Sequence, residues 1–281
     1  MVNPREHHPT PSPSRYLHGT DAPEQSRLSR LNTILNAACV REMAIVPASR
    51  ILDVGSGLGQ LTRDMARAAG RPALGIERDQ RQIDEALAQA AGAGEAAMLE
   101  IRRGDALSLP LRGDEWGSFD LVHARFVLEH VTDPGGMVAQ MARAVRPGGR
   151  VVVSDDDHSL LRLRPEPPGA HELWTAYCRA YDRLGCDPTI GTRLVELLVG
   201  AGLVARRCAL LNFGACAGEP HFPDMVENFV GVVLTARATI VDGGLMAAGA
   251  FDAACDQIRR WSTRADAAIW YPLCWAEGVR P

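Results

Sequence analysis

Apolar residues in this chain recur at two intervals, and the alternation between them predicts its architecture. Short apolar runs with strand character stand at RILDV (50–54), ALGIE (73–77), LEIRR (99–103), FDLVHA (119–124) and RVVVSD (150–155). Helical spacing fills the intervals at LTRDMARAA (61–69), RQIDEALAQAA (81–91) and PGGMVAQMARAV (134–145). Strands that alternate with helices predict βαβ units, a parallel sheet and right-handed crossovers. Ahead of them, EQSRLSRLNTILNAACVREM (24–43) puts Leu28, Leu31, Leu35 and Ala38 on one helical face, with Ile34 beside it.

The second half loses this rhythm. Helices are expected at 171–184 and 192–202, a strand at VARRCALLNF (204–213) and a last, aromatic-rich strand at AAIWYPLCWAEG (267–278). About fifty residues without structure inside a compact domain are improbable, so the interval is read as a helical lid at about 218–263. Phe222, Phe229, Leu234 and Trp261 are candidates to close an apolar pocket there; Trp270, Tyr271 and Trp275 can equally be core.

Composition narrows the class. A chain of 281 residues, 46% hydrophobic and 23% charged, can bury a full core. Net charge is −4 and every basic residue is Arg; no basic run marks a nucleic-acid surface. Seven scattered cysteines form no C-x-x-C pair, which fits a reduced cytoplasmic interior better than a disulfide or zinc framework. No run reaches the ~18 apolar residues of a membrane span. The polar, proline-rich stretch 1–15 is expected to be a disordered tail, without the apolar segment of a signal peptide.

The candidate chemistry begins at ILDVGSGLG (51–59). Gly55, Gly57 and Gly59 follow a strand and open a helix, where glycine tolerates positive φ and lets a ligand approach the backbone. A dinucleotide fingerprint would place its third glycine at position 60, which is Gln60. The pattern fits E/D-x-G-x-G-x-G instead, with Asp53 as its acid. Glu77 closes the second strand, where a carboxylate can accept ribose hydroxyls. Asp105 and Ala106 follow the third strand, at a place suited to an adenine amino group and ring; Asp105 can also simply shape a turn.

Taken together, DVGSGLG, GIERD, GDALSLP, FDLVHARFVLEHV and VRPGGRVVV resemble class I S-adenosylmethionine-dependent methyltransferases. They are most similar to the branch with ubiquinone/menaquinone-type and small-molecule natural-product enzymes. The resemblance is strong over about residues 45–155. It implies an α/β fold: a Rossmann-like, seven-stranded mixed sheet with helices on both faces, an N-terminal helical cap (16–45), a cofactor-binding core (46–158) and a C-terminal part (159–281) with its lid. It implies S-adenosylmethionine as cofactor, S-adenosylhomocysteine as product, and a small-molecule acceptor. Neither nucleic acid nor membrane is an expected partner, and the chain is expected as a monomer or homodimer.

The resemblance also assigns residues. Gly55, Ser56 and Gly57 would admit the methionyl part, with Asp53 orienting the loop or meeting the amino group through water. Glu77 and Arg78 lie at the ribose, Asp105 and Ala106 at adenine, and Ala124, Arg125 and Phe126 at the end of the fourth strand. Arg125 would either pair with the cofactor's carboxylate or hold the segment of Glu129 and His130. Phe126 would pack or face the sulfonium. Tyr16 and His18 would cover the sulfur side. Of His18, His123, His130 and His158, only His18 and His158 lie on segments facing the acceptor, so these are the catalytic candidates; His130 reads as scaffold. The run SDDDH (154–158) invites a metal, but the fourth strand ends in His123, Ala124 and Arg125 rather than an acid, so no metal is expected. A polar substrate site or a capped acidic turn are the other readings. A non-methylating reaction such as cyclisation, or cofactor binding without catalysis, remains the alternative.

Overall fold

The computed structural model describes residues 21–281. Tyr16 and His18 lie outside the described residues. Helix α1 (Ala22–Met43) starts with Asp21 accepting from the Glu24 N–H and buries Leu31, Leu35, Cys39 and Met43, the expected stripe carried one turn further. Five strands and three helices follow: β1 (Ile51–Val54), α2 (Gln60–Ala69), β2 (Ala73–Glu77), α3 (Gln80–Gly92), β3 (Leu99–Arg103), β4 (Phe119–Arg125), α4 (Pro134–Ala144) and β5 (Val145–Asp156). Asp79 and Asp133 cap α3 and α4 through their side chains. Next come β6 (Arg162–Arg164), α5 (Ala170–Asp182), α6 (Leu194–Gly200), β7 (Val204–Asn212) and β8 (Ala215–Cys216). The expected helical insertion is α7 (Phe222–Thr235), α8 (Arg237–Val241) and α9 (Ala248–Trp261), closed by β9 (Ala268–Trp270) and β10 (Pro272–Val279).

The main sheet has seven strands in the order β3-β2-β1-β4-β5-β10-β7, and β10 runs antiparallel to both its neighbours. This is the mixed, Rossmann-like sheet that the resemblance implies. The expected last strand is not continuous, however. It breaks at Tyr271, and Ala268–Trp270 joins a second sheet, β6-β9-β8. Pro272 has no N–H for the ladder, so the chain can turn there and pass from one sheet to the other. Two of the residues expected at a pocket or in the core are instead at the surface: Leu234 and Trp270 are exposed, whereas Phe222, Trp261 and Trp275 are core.

The strand order reverses between β1 and β4, which are hydrogen-bonded neighbours with Asp53 opposite His123. Loops leaving the carboxyl ends of β1 and β4 must diverge there and open a crevice. Helix α1 covers it. Arg125 ties that helix down by donating to Asn32 Oδ1 (2.6 Å) and Asn36 Oδ1 (2.9 Å). Arg27 joins the other side of α1 to α7, pairing with Glu24 and donating to Asn228 Oδ1 at 2.6 Å.

The turn after β4 is held by Asp155 from β5. Its Oδ2 accepts the N–H groups of Val127 (3.1 Å) and Leu128 (2.8 Å), next to Phe126 at φ +57°, a strained value for a residue with a Cβ. Asp155→Ala should leave both buried N–H groups unpaired and destabilise the chain by about 1–3 kcal/mol in urea unfolding. Asp155→Asn, which keeps an acceptor, should recover much of that loss. Equal stability of the alanine variant would show that the turn holds itself.

Candidate active site

The glycine loop is built on β2. Gly55 and Ser56 donate their N–H groups to Ile76 O (2.8 and 3.0 Å), and Gly57 N–H donates to Glu77 Oε2 at 3.0 Å. Glu77 Oε1 accepts from Arg78 N (2.8 Å) and Asp79 N (2.9 Å). Burial pushes the Glu77 carboxyl up, against the pull of these three N–H groups. It is thus a brace for the loop as well as a wall of the crevice. The glycines differ in what confines them. A Cβ on Gly55 (φ +74°) would stand 2.4 Å from a methyl of Val127, while one on Gly57 (φ +52°) would meet nothing within 4 Å. Gly57 faces open space.

Asp53 neither touches the loop amides nor points to solvent. It accepts from the Thr62 hydroxyl at 2.5 Å and lies 2.8 Å from His123 Nδ1. Its local work is to orient His123, a residue that the motif alone did not single out as functional.

A cavity of about 400 Å³ occupies the crevice. Asp53, Gly55, Ser56, Gly57, Glu77 and Arg78 line it from one side. Asp105, Ala106, Arg125 and Phe126 line it from the other, so it gathers the described candidates except Ala124 and His158. Ala124 is buried in the core behind the wall. Asp105 shapes its turn by accepting from Leu107 N (2.8 Å) while lining the cavity. Arg125 lines the cavity and its side chain holds α1 through Asn32 and Asn36 rather than the segment of Glu129 and His130. Ser56 Oγ, Gln82 Oε1 and His123 Nε2 belong to lining residues and are buried without a hydrogen-bond partner. Such orphaned polar atoms at a cavity are what a polar ligand satisfies.

Leu28, Phe126 and His130 separate this cavity from an inner chamber of about 70 Å³ and line both. The chamber has aromatic walls, Trp174, Tyr177, Phe229 and Tyr271, around Glu129, Asp156 and His158. His158 Nε2 lies 3.0 Å from Glu129 Oε2 and its Nδ1 3.9 Å from Asp156 Oδ2. Tyr181 donates to Glu129 (2.9 Å) and Tyr271 to Asp156 (2.7 Å). Burial drives every member towards its neutral form. It raises the carboxyls of Glu129 and Asp156 and lowers His158. His130, at the shared wall, is pushed down to about 3 by burial and then by neighbouring cations.

The SDDDH run therefore divides its work. Asp155 holds the β4 turn, and Asp157 caps Ser159 and accepts from Thr192. Only Asp156 and His158 face the chamber. The acid judged missing after the fourth strand is Glu129, four residues beyond β4 on a single turn of 3₁₀ helix. Together Glu129, Asp156 and His158 offer three ligand atoms within 4.8 Å of one another. The E-H-V run concealed Glu129, and the tyrosines carried no signal beyond the i, i+4 spacing of Tyr177 and Tyr181 on α5.

Residues 52–153 match the family described as Methyltransferase domain. A ubiquinone biosynthesis O-methyltransferase of Ralstonia nicotianae is 36% identical over 115 residues, 41% of this chain and 46% of that one. A 27-O-demethylrifamycin SV methyltransferase of Amycolatopsis mediterranei is 30% identical over 152 residues, 54% of this chain and 53% of that one. The chain thus carries, over residues 52–153, a methyltransferase domain.

It spans about half the length of the curated relatives it matches. Among solved structures, the 4+2 cyclase SpnF superposes with a TM-score of 0.56 at 20% identity, over 88% of this chain and 80% of that one. Geranyl diphosphate C-methyltransferase from Streptomyces coelicolor gives 0.53 at 15%, over 92% and 84%. At such identities the likeness concerns the fold. In this methyltransferase domain the two loop glycines should separate on mutation. Gly57→Ala should weaken S-adenosylhomocysteine at least about tenfold in calorimetry with a stability loss of about 1 kcal/mol, whereas Gly55→Ala should unfold earlier because its Cβ meets Val127. Glu77→Ala should weaken the same ligand by about 1–3 kcal/mol, and unchanged affinity would remove Glu77 from the site.

Proposed function

We propose that this chain transfers a methyl group from S-adenosylmethionine to a nucleophilic atom of a small molecule. The cofactor fills the larger cavity and the acceptor's reacting group enters the inner chamber. One observation carries this reading: a cavity lined by the cofactor motif adjoins, through Phe126 and His130, a chamber with three buried titratable groups.

The lining residues suit the cofactor. Gly57 leaves open space at the backbone, and Ser56, Gln82 and His123 offer unpaired polar atoms. Gly55 to Gly57 would hold the methionyl part, Glu77 and Arg78 the ribose, and Asp105 with Ala106 the adenine. When bound, S-adenosylmethionine supplies a methyl carbon activated by its positive sulfur. The chain's own part is to align the acceptor, exclude water and take a proton. His158 is the proton acceptor. Burial keeps its imidazole neutral, so a nitrogen lone pair is available at neutral pH, and the carboxyl oxygens of Glu129 and Asp156, at 3.0 and 3.9 Å, are placed to accept from the imidazolium that forms. Tyr181 and Tyr271 fix the two carboxyls by donation. The acceptor's proton goes to His158 and the methyl to the atom that lost it. A cyclisation of apolar double bonds would have no use for this trio.

His158→Gln should lower kcat by about 10²- to 10⁴-fold and leave S-adenosylhomocysteine affinity intact. The acid limb of the wild-type kcat profile should fall below the ordinary histidine value of 6.5. A limb above about 7 would transfer the role to a carboxyl. Chelator should leave turnover unchanged, because both carboxyls already accept from tyrosines; a loss restored by a divalent cation would turn the trio into a metal site. The same groups set a stability signature. A carboxyl whose folded pKa is raised makes its full contribution below the unfolded value, 3.8 for Asp156, and loses it progressively as pH rises from there through the folded pKa. Asp156→Asn should therefore raise Tm at about pH 8.5 and above, with little gain at about pH 4.

A further inference from the structure

The inner chamber is small. About 70 Å³ admits a few groups of water size, enough for a hydroxyl or amine on the edge of one ring, not for a whole acceptor. The larger cavity is taken by the cofactor on the reading above. A third cavity, an outer groove of about 560 Å³, lies on the other side of the chamber. Four residues line both: His158, Leu161, Trp174 and Phe229. These four residues are the boundary that the two share. Trp174 is its centre, hung from His158 O by its indole N–H (2.8 Å) and stacked on Phe229 and Tyr177.

The groove runs between α5 and β6. On α5, His171, Thr175, Cys178, Arg179 and Asp182 follow helical spacing and give it one face. On β6, Leu163 is buried while Arg162 and Arg164, two residues apart, are exposed on the same side of the strand. Their guanidinium groups donate to carbonyls of their own segment, and Arg164 also lies 3.6 Å from Glu166. With Glu166 and Asp182 as the lining acids, the two strand arginines and Arg179 leave the rim with one net positive charge.

We propose that the acceptor is an elongated, mostly apolar molecule with an anionic group remote from its reacting atom. Its head enters the chamber beside His158, its body lies in the outer groove past Trp174, and its anion meets Arg162 and Arg164. This rests on the methyltransferase reading for the place of the head, but the groove can be tested by binding alone.

The probes are para-hydroxyphenyl alkanoates from the acetate to the octanoate, titrated calorimetrically into the full chain with S-adenosylhomocysteine present. Affinity should rise at least about tenfold along the series. Arg162→Ala with Arg164→Ala should reduce the octanoate to the level of the acetate, and the paired lysine variants should recover part of it. Both arginines are exposed, so the variants should keep their melting temperature. Thr175→Trp, on the exposed groove face, should block the long probes selectively. Binding that follows chain length and the arginines supports the groove whether or not the probe is methylated. Equal affinities along the series, or indifference to the arginines and to Thr175→Trp, overturn it and leave the methyl-transfer reading to its own test at His158.

Discussion

Two carboxylates hold the crevice open, and most of the site depends on them. Each sits at the end of a strand and accepts backbone N–H groups that a diverging turn has left without a ladder partner. Glu77 at the end of β2 takes Gly57, Arg78 and Asp79; Asp155 near the end of β5 takes Val127 and Leu128. An unpaired buried N–H is expensive, so these bonds fix where the chain can go after β1 and β4. The strand order reverses between those two strands, and the turns therefore part and leave room. Phe126 shows how firmly the second turn is specified, since it keeps a left-handed φ despite its Cβ.

Adjacent carboxylates in one run then acquire different tasks through direction alone. Along β5 the side chains alternate, so Asp155 and Asp156 face opposite sides of the sheet. One meets backbone amides; the other meets Tyr271 and the imidazole of His158. Asp157 has left the strand and serves a turn. An acidic run that looks like a single site is thus three sites, of which one faces the chamber.

This explains what the sequence could and could not tell. The sheet, its flanking helices and the insertion before the last strand were legible because hydrophobic period is a local signal repeated many times. The cavity residues from Asp53 to Phe126 were legible because they cluster at strand ends in a fixed order. Tyr271 and Tyr181 were not. They come from a strand break and from the far end of α5, and they converge on Asp156 and Glu129 only once the second sheet and α5 have packed. The bonds of Arg125 to α1 were hidden for a related reason: its partners, Asn32 and Asn36, lie about ninety residues earlier, on a helix whose polar face carries no motif. Pro272 cannot donate to a ladder and marks the break, but the aromatic run around it has strand character on both sides.

The tyrosines also decide how the proposed chemistry is kept in order. Burial pushes the phenols of Tyr177, Tyr181 and Tyr271 far above the ordinary tyrosine value, so each remains a donor across the working pH range. A fixed donor on Glu129 and another on Asp156 leave the remaining lone pairs of these carboxyls turned towards His158. The imidazole is then the member of the cluster able to gain a proton without losing a hydrogen bond, and gaining one lets it pair with two acids already in place. Desolvation makes the resting trio nearly neutral, and a proton taken from an acceptor would arrive where two carboxyl groups are already oriented by hydrogen bonds.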